Sequence, residues 1–199
     1  ILKLMRQMFR FAVDREIIEL DPTAKLSITK TTTKPTERDR TLSEIEIRAL
    51  ARQLPDANLL KSTECAIWIA LSTMCRIGEL SKAKFLDIDY QLKTWMIPGA
   101  NSKNGKAHTI YLSDFTLEQF KLLKQIAKSE TWVFPNRDNS SHVCEKSITK
   151  QIGGRQTTTI LSNRSKDSQA LILTSGKWTQ HDLRSTSATM MGNLGIAHN

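Results

Sequence analysis

Apolar residues recur at steps of three and four along much of the chain, so the pattern predicts a mainly helical protein. Residues 1–18 predict an amphipathic helix that is stopped by Pro22. Residues 59–74 are apolar on most sides, which is typical of a core helix. Between them, Ser43-Glu44-Ile45-Glu46 is a capping box that begins a helix ending near Leu54.

More helices are predicted in the rest of the chain. A short one begins at Gly78, and longer ones cover 115–128 and 143–152. The last helix has Thr179 as its N-cap and ends before Gly195. The residues that should face inward from 115–128 are Phe120, Leu123 and Ile126.

The pattern also predicts a small sheet. Residues 94–98 and 108–112 have strand character, and Asn104-Gly105 between them favours a two-residue hairpin turn. Residues 132–135 are expected to form a short buried segment, whereas 153–169 have little periodicity and predict a loop or insertion. The expected fold class is mainly α with a small antiparallel β-sheet.

Composition narrows the choice of partners. The 199 residues carry a formal net charge of +9, which favours a polyanion such as nucleic acid. Three scattered cysteines without CxxC spacing are typical of a reducing compartment. No apolar run is long enough for a membrane span, and the four histidines are too far apart for a helical metal pair: His108, His142, His181 and His198.

Three polar motifs interrupt this pattern and carry the candidate chemistry. Arg76 follows the apolar core helix, and Glu79 stands three residues later, where a carboxylate can hold a guanidinium. A second motif is His181-Asp182-Leu183-Arg184, in which the histidine and the arginine share a helix face. The third, Ser102-Lys103-Asn104-Gly105-Lys106, lies at the predicted hairpin tip. Planar, permanently charged guanidinium groups suit phosphate oxygens.

In this order, the motifs resemble those of the tyrosine recombinases, the phage-integrase family. The resemblance implies that Arg76 and Arg184 stabilise charge on a DNA phosphate and that Glu79 orients Arg76 or another active-site base. It implies that Lys103 acts as general acid, with Lys106 as a rival, and that His181 contacts the phosphate or assists the nucleophile. No cofactor and no metal is expected.

The chain departs from the family pattern at the nucleophile, which in the family is a tyrosine after the His-x-x-Arg helix. Here Tyr90 and Tyr111 both precede that helix, and we interpret Tyr111 as structural. His198 lies too close to Arg184 to be the family's later histidine, and Ser185 replaces an arginine often found there. The expectation is a catalytic domain truncated before its nucleophile and inactive by itself.

The resemblance also implies a domain arrangement. Residues 1–28 would end a DNA-clamping core-binding domain, 29–40 would be a basic linker, and 41–199 would be the catalytic domain. The expected partners are duplex DNA and further copies forming a tetramer on DNA, with no membrane and no small-molecule substrate. The expected location is the cytoplasm, at the nucleoid of a bacterial host.

Other interpretations remain open from sequence. Type IB topoisomerases have a similar catalytic set, and a non-catalytic DNA-binding remnant of an integrase would carry the same basic residues. A small-molecule phosphotransferase is disfavoured because the chain has no Gly-rich phosphate loop.

Overall fold

The computed structural model describes residues 2–26, 39–158 and 167–195. The chain divides into two compact units, Ile1–Arg38 and Asp39–Asn199. In the first unit, helix α1 covers Leu2–Asp14 and is shorter than the predicted 1–18. It stops because Glu16 takes a left-handed φ of 57°, while the amides of Glu16 and Ile17 bond back to Val13 and Ala12, which is the Schellman pattern of helix ends.

The second unit contains most of the helices. Its helices are α2 (Glu44–Gln53), α3 (Lys61–Thr73), α4 (Ile77–Ser81), α5 (Asp114–Ile126), α6 (Glu145–Gly154) and α7 (Gln180–Asn193). The predicted capping box is confirmed, since Ser43 Oγ accepts from the Glu46 amide and Glu46 Oε2 accepts from the Ser43 amide. Among the described residues, no helix is long and apolar enough to cross a membrane.

The sheet is antiparallel, with strand order β1-β2-β3. Its strands are β1 (Ile88–Asp89), β2 (Thr94–Ile97) and β3 (His108–Tyr111). The predicted two-residue turn is wrong, because the last paired residues are Ile97 and His108 and all of 98–107 forms the connection. Pro98 has no amide hydrogen to continue the ladder, and Gly99–Asn101 forms a 3-10 turn instead.

The core lies where α3 packs against α5 and α7. Trp95 of β2 meets Phe120 of α5 edge to face, with ring centroids 5.6 Å apart. Phe120 and Leu123 are buried as predicted, but Ile126 is exposed. It is the last residue of α5.

The prediction of a loop over 153–169 is only partly right. Helix α6 continues to Gly154, and Gln156 is fully buried. Arg155 donates from Nε to Ala57 O at 2.6 Å and from Nη2 to Asn58 O at 2.7 Å. The side chains of Arg155 and Gln156 bond to backbone groups and do not form the apolar face of a helix. The sequence therefore shows no helical periodicity in this stretch. Residues 159–166 lie outside the described residues.

Candidate active site

The first motif lies at a sharp change of chain direction. Helix α3 ends at Met74, which has a left-handed φ of 54°, and Cys75 is buried directly after it. Arg76 then serves as the N-cap of α4 with extended backbone. This turn brings an arginine from the end of a buried helix to the edge of an open cavity.

Glu79 holds Arg76 at two points. Its Oε2 accepts from the Arg76 amide at 2.8 Å, and its Oε1 accepts from Arg76 Nη1 at 3.0 Å. Glu79 is buried, whereas the Arg76 side chain is 43% exposed. The carboxylate therefore fixes one edge of the guanidinium and leaves the rest of it open to a ligand.

Helix α7 carries the second motif. Thr179 caps it with a reciprocal box, in which Asp182 Oδ2 accepts from the Thr179 amide at 2.8 Å. His181 is exposed on the first turn and Arg184 is half-buried one turn later. The Arg184 guanidinium donates to the carbonyl oxygen of Met74, so the two motifs are in direct contact.

The connection between β2 and β3 carries the third motif. Gly99 is required there, because a Cβ at this position would lie 2.5 Å from the carbonyl oxygen of Gly105. Gly105 itself has a φ of 72°. Asn104 Oδ1 accepts from Ser102 Oγ at 2.7 Å and from the Lys106 amide at 3.2 Å. The loop is thus folded on itself, with Lys103 exposed next to its turn.

The three motifs meet at one open cavity of about 660 Å³. All five residues singled out from the sequence line it: Arg76, Glu79, Lys103, His181 and Arg184. Lys106, the rival of Lys103, is not among the lining residues. Over a hundred residues separate Arg76 from Arg184, and the fold places both at one site.

Sequence reasoning missed several residues of this cavity. Lys82, Glu145 and Gln180 line it, together with Asn101. Glu145 lies at the cavity because α6 packs against α4. The two helices are close there, since a methyl group at Gly78 would lie 3.4 Å from Glu145 Oε2. Only Gln180 had a local signal, because it directly precedes His181.

Cys75 also lines the cavity but is not a candidate nucleophile. Burial raises the pKa of its thiol to about 12, so it stays protonated at neutral pH. Within 2–26, 39–158 and 167–195, no group of three or more His, Cys, Asp or Glu side chains is placed to hold a metal ion.

Neither tyrosine lines the cavity. Tyr90 is half-buried against the core, and burial raises the pKa of its hydroxyl. Tyr111 lies in β3 with an exposed side chain, so its backbone belongs to the sheet but the ring adds nothing to the core. The interpretation of Tyr111 as structural therefore holds only for its backbone.

A second cavity, of about 330 Å³, has a different character. Its walls are mainly apolar side chains of α5, α6 and the 133–135 segment, and it contains none of the motif residues. All of the motif residues that line a cavity are therefore at the larger one.

Comparison with known proteins agrees with the motifs. The sequence model of the phage integrase family matches residues 40–198. The prophage integrase IntA of Escherichia coli K12 is 27% identical over 119 residues, which cover 59% of this chain and 29% of IntA.

Solved structures show the same fold. The integrase from mycobacterium phage Brujita superposes with a TM-score of 0.60 at 16% identity, covering 98% of this chain and 58% of that one. A lambda integrase in a tetramer bound to a Holliday junction gives a TM-score of 0.64 at 19% identity, covering 96% of this chain and 52% of that one. The chain thus spans less than a third of IntA and somewhat over half of these integrase chains.

Proposed function

This chain belongs to the phage integrase family, and we propose that it supplies the phosphate-binding part of the active site of a tyrosine-type site-specific DNA recombinase. One observation carries the proposal. Arg76, Lys103, His181 and Arg184 come from three distant stretches and line one open cavity. Guanidinium, ammonium and imidazole groups around such a cavity suit a phosphodiester.

The proposed reaction is a transesterification at phosphorus. A phenolic oxygen attacks the DNA phosphate, the bond from phosphorus to the 5′ oxygen breaks, and a 3′-phosphotyrosyl link forms. Arg76 and Arg184 stabilise the negative charge that develops on the non-bridging oxygens. Lys103 gives a proton to the departing 5′ oxygen, and His181 hydrogen-bonds the phosphate or assists the tyrosine proton.

The nucleophile is proposed to come from outside these 199 residues. Tyr90 and Tyr111 precede the His181 helix, and moving either into the cavity would disrupt the sheet next to the loop that holds Lys103. Covalent catalysis requires the nucleophile within reach of phosphorus. The test is therefore run on this chain and on a longer protein that includes further residues.

The proposed partners follow from the same chemistry. Duplex DNA is the expected substrate, and a tetramer on DNA is proposed for the longer protein, as in the lambda integrase complex. Residues 1–28 are proposed to end a core-binding domain and 29–40 to link it to the catalytic domain. A protein with these partners would act at the nucleoid in the cytoplasm.

A denaturing gel with a nicked DNA substrate carrying the attachment site tests the proposal. The longer protein should form a covalent protein–DNA adduct through a tyrosine, and the 199-residue chain should form none. A shifted band from the 199-residue chain would mean that the nucleophile is misplaced. No band from the longer protein would favour a non-catalytic DNA-binding role.

Lys103 has a matched control in the same loop. In the longer protein, Lys103→Ala should reduce adduct formation much more than it reduces DNA binding, whereas Lys106→Ala should affect the adduct little, because Lys106 does not line the cavity. Equal losses of binding and cleavage in Lys103→Ala would make Lys103 a phosphate contact only.

A further inference from the structure

Gln180 has a buried amide without a hydrogen-bond partner. The residue is 6% exposed, and among the described residues neither Nε2 nor Oε1 of its side chain has a partner. It is the first residue of α7 and lines the cavity that holds Arg76 and Arg184. An unpaired buried amide is destabilising, so its presence at this position needs an explanation.

A second buried glutamine, Gln156, has hydrogen bonds at both ends of its amide. Its Oε1 accepts from the Trp178 amide at 2.8 Å, and its Nε2 donates to Trp178 O at 2.9 Å. Both ends of that amide are paired within the fold. Gln156 is therefore held at both ends of its amide, whereas the Gln180 amide has no bond to any of the described residues.

The position of Gln180 points to the cavity. It directly precedes His181 and stands four residues before Arg184, so it shares a helix face with the arginine. Moving the amide toward a ligand costs no existing hydrogen bond, because it has none to give up. A phosphate between the arginines would offer the acceptor that the Gln180 N–H groups lack.

We propose that Gln180 is a further substrate-contacting residue, whose amide N–H donates to an oxygen of the DNA phosphate in the cavity. The inference rests on the proposed function and adds a neutral donor to the charged residues of the site. The carbonyl oxygen of the amide is then free to accept from the Arg184 guanidinium, one turn along α7.

Stability of the DNA-free protein provides the first test. Gln180→Leu removes an unpaired polar group, so the melting temperature of the 199-residue chain should stay the same or rise. Gln156→Leu is the matched control and should lower the melting temperature by roughly 5 °C or more, because the Trp178 backbone groups lose their partners.

DNA binding provides the second test. Gln180→Leu should weaken binding of mixed-sequence duplex DNA by about tenfold, as expected for a lost hydrogen bond to a charged group. The salt dependence of binding should remain that of the unmodified chain, since a neutral amide releases no counterion. Arg184→Ala should instead reduce the salt slope by about one.

The outcomes separate this inference from the proposed function. If Gln180→Leu destabilises the free protein as Gln156→Leu does, the amide has a structural role and the inference is wrong. If the unmodified chain binds DNA and Gln180→Leu binds it equally well, the inference is also wrong while the proposed function stands. If the unmodified chain does not bind duplex DNA at all, both fail.

Discussion

Among the described residues, two arginine–glutamate pairs join the segment before a helix to its first turn, and they differ in how many donors of the arginine are used within the fold. Arg40 pairs with Glu46 before α2, and Arg76 pairs with Glu79 at the start of α4. Both carboxylates are buried, and each accepts from the backbone amide of the N-cap residue of its helix, Ser43 for Glu46 and Arg76 for Glu79. The Arg40 side chain is 13% exposed, whereas that of Arg76 is 43% exposed.

The Arg40 guanidinium makes its hydrogen bonds within the protein. Its Nη2 and Nη1 donate to the two oxygens of Glu46 at 2.8 and 3.3 Å, and other bonds reach the carbonyl oxygens of Thr41, Gly176 and Lys177. The Ser175 amide also donates to Glu46. Although Arg40 ends the predicted basic linker, it fastens the start of α2 to the turn before α7.

Among the residues that the structure describes, the Arg76 side chain bonds to Glu79 alone, and it faces a cavity. An arginine–glutamate pair is therefore structural where every guanidinium N–H group bonds within the fold. It is suited to binding a ligand where some of those N–H groups remain open. The number of unused guanidinium donors, rather than the presence of an arginine–glutamate pair, separates the structural role from the ligand-binding role.

The largest effect is expected for Arg76→Ala. In the longer protein, adduct formation should slow by about two to three orders of magnitude, because one preorganised charge partner of the transition state is lost. The melting temperature should also fall, because the buried Glu79 carboxylate loses its charge partner and keeps the bond from the residue 76 amide. Adduct kinetics and thermal unfolding of the same preparation measure both quantities.

Arg40→Ala should lower stability without a direct effect on adduct chemistry, because Arg40 does not line the cavity. Removing the arginine leaves Glu46 buried and unpaired, which typically costs about 3–5 kcal/mol in free energy of unfolding. Urea unfolding of the 199-residue chain measures it. Replacing both partners, Arg40→Met with Glu46→Leu, should recover part of the loss. If Arg40→Ala has the same free energy of unfolding as the unmodified chain, the hydrogen bonds of Arg40 and Glu46 do not stabilise the fold.

The Glu46 pair also predicts a pH dependence. The hydrogen bond from Arg40 lowers the pKa of Glu46 from 4.5 to about 2. Its stabilisation is therefore complete above pH 4.5 and is lost as the pH falls toward 2. At neutral pH, Glu46→Gln should reduce the free energy of unfolding by roughly 2–3 kcal/mol.

Unfolding curves at several pH values measure this difference. It should shrink steadily as the solution becomes more acidic, because the carboxylate of the unmodified chain then becomes protonated as well. A difference that stays constant down to pH 2 would show that the charge of Glu46 contributes nothing.

The smallest effect is expected for a third arginine–glutamate pair. Arg48 and Glu44 lie one turn apart on α2, with side chains 69% and 71% exposed. Exposed pairs contribute little, so Arg48→Ala should change the free energy of unfolding by less than about 0.5 kcal/mol. A larger loss of free energy of unfolding, measured with urea, would mean that solvent exposure does not decide how much an arginine–glutamate pair stabilises this protein.

The sequence predicted most of the helices and the motif residues of the site because both have local signals. Residues 59–74 have the periodicity of a core helix, and Ser43 and Thr179 have side chains that cap. The predicted hairpin turn was wrong because the chain bends at residues 102–105 within a longer loop, where the approach of Gly99 to Gly105 decides the path.

The remaining parts of the site depend on tertiary packing. Glu145 reaches the cavity only because α6 packs against α4, and Lys82 lies there because α4 is short and turned by Met74. The burial of the Gln180 amide is likewise a property of the packed fold. None of these has a periodic or spacing signal in the chain.

A crystal structure of this protein with duplex DNA would show whether the cavity between Arg76 and Arg184 holds a DNA phosphate. We expect one backbone phosphate with oxygens about 3 Å from both guanidinium groups, and with Lys103 and His181 beside it. DNA bound on another face, with this cavity holding no phosphate, would overturn the proposed site.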